Sequence, residues 1–239
     1  MQRQHTRQQR VFSLAMPAVS EQVLNTLVGL MDVVLVGQLP ATAAVILGYG
    51  SATALAGVGL ASEMFWTVTI LFMAIGTGCT ALTARARGAQ DSAMGNNALR
   101  QSLLMGLIAA IITTIVCELF ATQLIGVYRA NADVTRLGGD FLRIIGYAAT
   151  PTAISMIGTA ALRGSGDTRT PLYIMIGVNI INVVISFLFI GGQFGLPVMG
   201  IQGAAMGAAI ARTMGCIAVI VVLLRGRASL ILNQPLWPD

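Results

Sequence analysis

The chain has 239 residues, of which 56% are hydrophobic and only 10% charged, with a mean hydropathy of +0.80. Soluble domains carry about 25% charged residues, so a soluble globular fold is excluded: it would have too little polar surface to meet water. The net charge of +5 is carried by fourteen arginines against nine acids. Such a balance can mark nucleic-acid binding, but these arginines sit between apolar blocks, so they read as membrane topology and no nucleic-acid partner is expected.

Six apolar blocks follow in chain order, at about 11–37, 55–82, 102–125, 141–162, 171–193 and 201–224. Each is near the roughly 20 residues that cross a bilayer as a helix. The first is too long for a signal-peptide core and is interrupted by Pro17, Glu21 and Asp32, so it is expected to stay in the mature chain. A basic tail (1–10) precedes it, and 225–239 reads as a second tail or the start of a linker. The stretch from Pro40 to Thr53 is too short to span and is read as a periplasmic insertion or interfacial segment.

Orientation follows from the arginines. Arg3, Arg7, Arg10, Arg85, Arg87, Arg100, Arg163, Arg169, Arg225 and Arg227 fall on one side, while the other side has Arg129, Arg136 and Arg143. Positive loops stay cytoplasmic. Both termini are therefore expected in the cytoplasm, in a multi-pass protein of the inner membrane with the lipid bilayer as its surroundings. Arg212 falls inside the sixth span.

Polar groups inside spans point to function, because a charge at the centre of a span costs about 2.5–3.5 kcal/mol on insertion scales. Glu21, Asn25 and Asp32 share one face of the first span at 100° per residue, and Pro17 lets that helix bend. Counted at 1.5 Å per residue, Asp32, Glu63 and Glu118 all reach the outer half of the bilayer, so the three carboxylates are expected around one outward-facing cavity, where they would titrate together. In the fifth span Asn179, Asn182 and Ser186 are spaced three and four apart and form one face, fit either to bind a cation or to cross-link helices. Gly203, Gly207 and Ala211 repeat every four residues on the sixth span, as do Ala204 and Ala208, a pattern that lets helices approach closely.

No catalytic constellation is present. The one histidine, His5, lies in the polar tail; Cys79, Cys117 and Cys216 sit singly in apolar blocks and read as small hydrophobes; and Ser165 has no base to activate it. No enzyme activity, cofactor or metal centre is expected.

Several stretches, taken in order, resemble the multidrug and toxic compound extrusion (MATE) family. The strongest is Ala161-Leu162-Arg163-Gly164-Ser165-Gly166-Asp167-Thr168-Arg169-Thr170-Pro171, which is similar to the family's loop between helices four and five. Leu14-Ala15-Met16-Pro17, the run from Asp32 to Leu39, the run from Ala84 to Ala89 and the run from Pro197 to Ala205 add to it. The resemblance implies an all-α membrane fold, this chain forming the amino-terminal six-helix lobe (11–224) of a twelve-helix, two-lobe transporter. It implies export of bulky, often cationic organic compounds against H⁺ or Na⁺ by alternating access. Residue by residue, it implies Asp32 as the first-helix acid of cation coupling, Pro17 as the bending proline and Asn182 as the fifth-helix asparagine of the cation site. Two departures stand out: Ser186 where some members carry an acid, and Ala208 where some carry threonine. These leave at most a weak Na⁺ site at Asp32 and Asn182, so H⁺ is the favoured coupling ion. The partner completing the cavity would be a second six-helix lobe or another copy of the chain. Two other readings stay open, a lipid-linked sugar flippase of the same superfamily and an inactive half-length fragment.

Overall fold

The computed structural model describes residues 45–192 and 195–226 and, within 16–38, all but positions 17, 18, 21, 22, 25, 28 and 32. Every described position from 16 to 37 is helical. Beyond it lie six helices: α1 (Ser51–Gly88), α2 (Ser92–Gly126), α3 (Ala132–Tyr147), α4 (Ala149–Gly164), α5 (Arg169–Ile190) and α6 (Gly200–Leu224). No strand occurs among the described residues. Four of the helices, α1, α2, α5 and α6, are long and apolar enough to cross a membrane, and α3 with α4 makes one further span, bent by 52° at a break. The chain is a multi-pass membrane protein.

The spans read in the sequence keep their order, but their bounds change. The second and third extend as α1 and α2 well beyond 55–82 and 102–125. The fourth, read as an unbroken 141–162, starts nine residues earlier and breaks after Tyr147. Pro151 supplies the reason, since it has no N–H for the Tyr147 carbonyl four residues back and its ring collides with that carbonyl.

Local chemistry fixes the ends. Asp91 Oδ1 accepts the Met94 N–H at 2.9 Å to start α2, and Asn131 Oδ1 accepts the Val134 N–H at 2.9 Å to start α3, the usual capping exchange for helix-end donors. Inside the spans, threonine hydroxyls donate to carbonyls four residues back, as from Thr69 to Phe65 at 2.8 Å. Two also reach a neighbouring helix: Thr80 to the Ala160 carbonyl at 2.9 Å and Thr114 to the Gly146 carbonyl at 3.0 Å. Such ties supply cohesion where lipid removes the hydrophobic drive between helices.

Three spans run parallel, α1, α3–α4 and α6, as shown by close approaches that advance together: Gly57 meets Gly138 and Ile201, Gly76 meets Ala160, and Gly158 meets Val219. α2 packs antiparallel on α3 and α4, with Gly106 under Ile157 and Gly146 under Cys117. α5 packs mainly on α6. Cys79, Cys117 and Cys216 are free and buried, serving as small apolar filler.

The stretch read as an insertion has a structural task from residue 45 onward. Residues 45–47 form a helical turn, Gly48 takes φ +74°, and the Tyr49 hydroxyl accepts the Ile201 N–H at 3.2 Å. Tyr49 lies against Gly200 at φ +51°, where any side chain would collide with the ring. The segment thus clasps the start of α6. Burial pushes the Tyr49 phenol above its usual value; the Ile201 N–H opposes this and Asp140 adds to it. Because the folded state then holds the proton more tightly, the clasp is intact below about pH 10 and weakens above it. Tyr49→Phe should cost about 1 kcal/mol, the net worth of one hydrogen bond, read as a lower melting temperature in detergent with no pH dependence below neutrality.

Candidate functional site

The best-formed polar surface inside the apolar bundle is on α5. Asn179, Asn182 and Ser186 are 8%, 7% and 0% exposed, and the Ser186 hydroxyl donates to Asn182 Oδ1 at 3.3 Å. The sequence placed these three on one face, and the structure buries that face against α6. The glycines set the register. A β-carbon on Gly203 would lie 2.7 Å from the Phe189 carbonyl carbon; one on Gly207, 2.9 Å from the Ser186 nitrogen; one on Gly215, 2.6 Å from a Val178 methyl. The antiparallel register pairs Gly207 with Ser186 and puts Ala211 level with Asn182. The four-residue stripe read on the sixth span is therefore the contact that seals the amides from lipid.

The Asn179 amide nitrogen is buried with no hydrogen-bond partner among the described residues, and so is the Ser155 hydroxyl of α4, which faces the Gly215 position at 3.8 Å. Buried amides without partners are rare. Sequence reasoning missed Ser155, a single serine in an apolar block with no periodic companion. Arg212 is half-buried on α6, its guanidinium centre 5.0 Å above the Phe65 ring of α1; such stacking helps to hold a permanent charge at membrane depth. Ala208 is buried on the same helix.

The positions of Glu21, Asp32 and Pro17, together with the Asp32 half of the weak Na⁺ site, lie outside the described residues. Glu63 and Glu118 are both exposed, so the lobe by itself encloses neither. Residue count gives only an expected depth, and the direction each carboxylate faces depends on how α1 and α2 pack. No group of three His, Cys, Asp or Glu that could hold a metal occurs among the described residues.

The loop from Arg163 to Pro171 is built as a rigid turn. Gly164 sits where a β-carbon would be 2.5 Å from the Thr80 carbonyl oxygen of α1, and Gly166 takes φ +90° beside the Arg87 guanidinium, a conformation glycine alone adopts freely. The Ser165 hydroxyl donates to the Leu162 carbonyl at 2.8 Å, so it is a structural serine. Asp167 accepts the Arg169 and Thr170 N–H groups at 3.2 and 3.0 Å and the Thr170 hydroxyl at 2.6 Å. It thereby satisfies the first donors of α5, with Pro171 buried in the same turn. Arg163 and Arg169 flank it.

Comparison with known proteins fits this geometry. The chain is 30% identical over 206 residues to the probable multidrug resistance protein NorM of Thermotoga maritima, covering 86% of this chain and 42% of that protein. It is 26% identical over 213 residues to the uncharacterized transporter YisQ of Bacillus subtilis, covering 89% and 44%. Among solved structures, a MATE transporter in the bent conformation superposes with a TM-score of 0.82 at 23% identity, over 96% of this chain and 48% of that one. An inward-facing MATE transporter of the MOP superfamily gives 0.78 at 22% identity, over 93% and 49%. The chain thus spans less than half the length of these proteins and has the fold of one lobe. The MatE family profile matches residues 17–188, which is most of the chain, and the chain belongs to that family.

Proposed function

We propose that this lobe is the amino-terminal half of a secondary exporter that moves organic, often cationic, compounds out of the cell in exchange for H⁺, with Na⁺ as the other coupling ion. The observation that carries this is the sealed amide face of α5: Asn179, Asn182 and Ser186 buried in an apolar lobe, one amide nitrogen without a partner among the described residues. Amides and hydroxyls at membrane depth are fit either to bind an ion or to hold helices together, and the amide nitrogen left without a partner among the described residues favours the first. The relatives named as multidrug resistance proteins support the class of transport. In this reading Asp32 takes up the coupling proton and the α5 amides complete its surroundings, with Glu21 further along the same helix. Pro17 lets the first helix bend, and the Arg163–Pro171 turn holds α5 in register. A weak Na⁺ site would draw on Asp32 and Asn182. The distribution of arginines supports both termini in the cytoplasm. A second six-helix lobe, or a second copy of the chain, supplies the other wall of the cavity.

The test is efflux of a fluorescent organic cation from proteoliposomes under an imposed pH gradient, comparing the chain with its Asp32→Asn variant. Gradient-driven export that is lost in the variant supports the reading. If a form extended by a second lobe exports and the chain alone does not, the lobe needs that partner. Export unchanged in Asp32→Asn would overturn the assignment of Asp32, and no export from the extended form would overturn the reading itself.

A further inference from the structure

The centre of α6 holds a charge that the proposed transport path does not use. Arg212 is the middle residue of the helix, twelve residues from Gly200 and twelve from Leu224. At 1.5 Å per residue each end is about 18 Å away, too far for the side chain to carry its charge to a membrane surface, as arginines near helix ends do. At 100° per residue, Arg212 shares a face of α6 with Ile201, Ala205, Ala208 and Val219, all buried. That face meets α1 at one end, where Ile201 lies 3.4 Å from the β-carbon position of Gly57, and α4 at the other, where Val219 packs on Gly158. Arg212 therefore points into the lobe and not towards lipid, and its guanidinium reaches the Phe65 ring of α1.

Two neutral donors share this depth. A β-carbon on Gly215, three residues on from Arg212, would stand 3.8 Å from the Ser155 hydroxyl of α4 and 2.6 Å from a methyl of Val178, the chain neighbour of Asn179 on α5. The Ser155 hydroxyl and the Asn179 amide nitrogen are both buried without a hydrogen-bond partner among the described residues. No acid lies on α4, α5 or α6. Glu63 of α1 is exposed and sits 200° round that helix from Phe65. The surface these three helices present at mid-depth is thus positive and rich in N–H and O–H donors, and the guanidinium cannot shed its charge by losing a proton.

We propose that Arg212 is a specificity-determining residue of the exporter and selects compounds that carry a carboxylate, with Ser155 and Asn179 as supporting donors. The proposal deepens the transport reading and rests on it for the presence of cargo in the lobe. Stacking on Phe65 engages the face of the guanidinium, whereas its five N–H groups point outward in its plane, in the fork that matches the two oxygens of a carboxylate. Such a bond is charge-assisted and roughly twice as strong as a neutral one. One fixed charge balances one carboxylate, while a phosphate monoester with close to two charges would leave one uncompensated at membrane depth. A cationic group on the same compound is held away from this level by like-charge repulsion.

The experiment titrates the full chain in nanodiscs of zwitterionic lipid with an environment-sensitive fluorescent dye bearing one carboxylate, and with the methyl ester of the same dye, which keeps the shape and loses the charge. Empty nanodiscs correct for partition into lipid. Wild type should bind the acid about 10-fold or more tightly than the ester, the factor that a hydrogen bond to a charged group contributes. Arg212→Met, which keeps an apolar stem over Phe65, should bind the two alike. Arg212→Lys, a point charge without the fork, should fall between, and it decides the matter if Arg212→Met does not fold. Ser155→Ala should weaken the acid alone, by about 5-fold. A wild-type chain with no preference for the acid overturns the proposal, and so does a preference that persists undiminished in the Arg212 variants, since the arginine would then serve only the fold or the coupling acid. Export of an organic cation under a pH gradient judges the transport reading separately. Export without acid preference sinks this proposal alone, and acid preference without export from the extended form leaves a carboxylate site and overturns that reading alone.

Discussion

Gly207→Leu should give little folded protein, and what folds should melt on the order of 10 °C below wild type. Inserting bulk into a packed interior costs about 1–3 kcal/mol, and this site belongs at the upper end because the obstacle is backbone: the Ser186 nitrogen stands 2.9 Å from the new β-carbon. A side-chain neighbour could rotate away, whereas here α5 must lift off α6 along its length. At about 2–4 °C per kcal/mol for a chain of this size, the cost is well within reach of a thermal-stability assay by size-exclusion chromatography in detergent. Gly59 is the control, because nothing lies within 4 Å of its β-carbon position, and Gly59→Leu should melt within a degree or two of wild type. Equal behaviour of the two variants would mean that the α5–α6 seam is not as close as described.

Asn182→Leu separates a transport role for the α5 face from a structural one. Removing one partner of a buried hydrogen bond is costly only if the other is left unsatisfied, and the Ser186 hydroxyl, which now donates to Asn182 Oδ1 at 3.3 Å, can turn to the residue-182 backbone carbonyl four residues back. The melting temperature should therefore hold. Export by a transport-competent form should fall by about 10–100-fold, the usual effect of removing a group that orients a bound ion. If melting falls and export from the surviving protein does not, the amides serve to bind helices together.

The sequence announced the membrane class and the order of the spans because both depend on composition over twenty or more residues, and apolar blocks of that length have few soluble alternatives. It also announced the α5 face and the α6 stripe, because helical spacing alone brings Asn179, Asn182 and Ser186 together and lines up Gly203 and Gly207. The break at Tyr147 was legible in principle through Pro151, but a proline in a membrane helix is tolerated often enough that its presence alone does not predict a 52° bend. Glu118 shows a different limit. Its expected depth follows from counting residues, but its direction follows from which side of α2 meets α4. Thr114 and Cys117 settle that by taking up the Gly146 contact, which leaves Glu118 on the exposed side of α2. Tyr49 was hidden for a third reason: its partner Ile201 is 152 residues away, and no local pattern marks such a pair.

The tight seam between α5 and α6 also bears on how the chain is made. Two asparagines and a serine on a single helix entering lipid can satisfy one another only in part, through Ser186 and Asn182, and α5 has little other contact before α6 arrives. The short turn between them lets α6 emerge almost immediately and close over the amides. The two helices are therefore suited to leave the insertion machinery as one hairpin, already sealed, and to join the earlier spans as a finished unit.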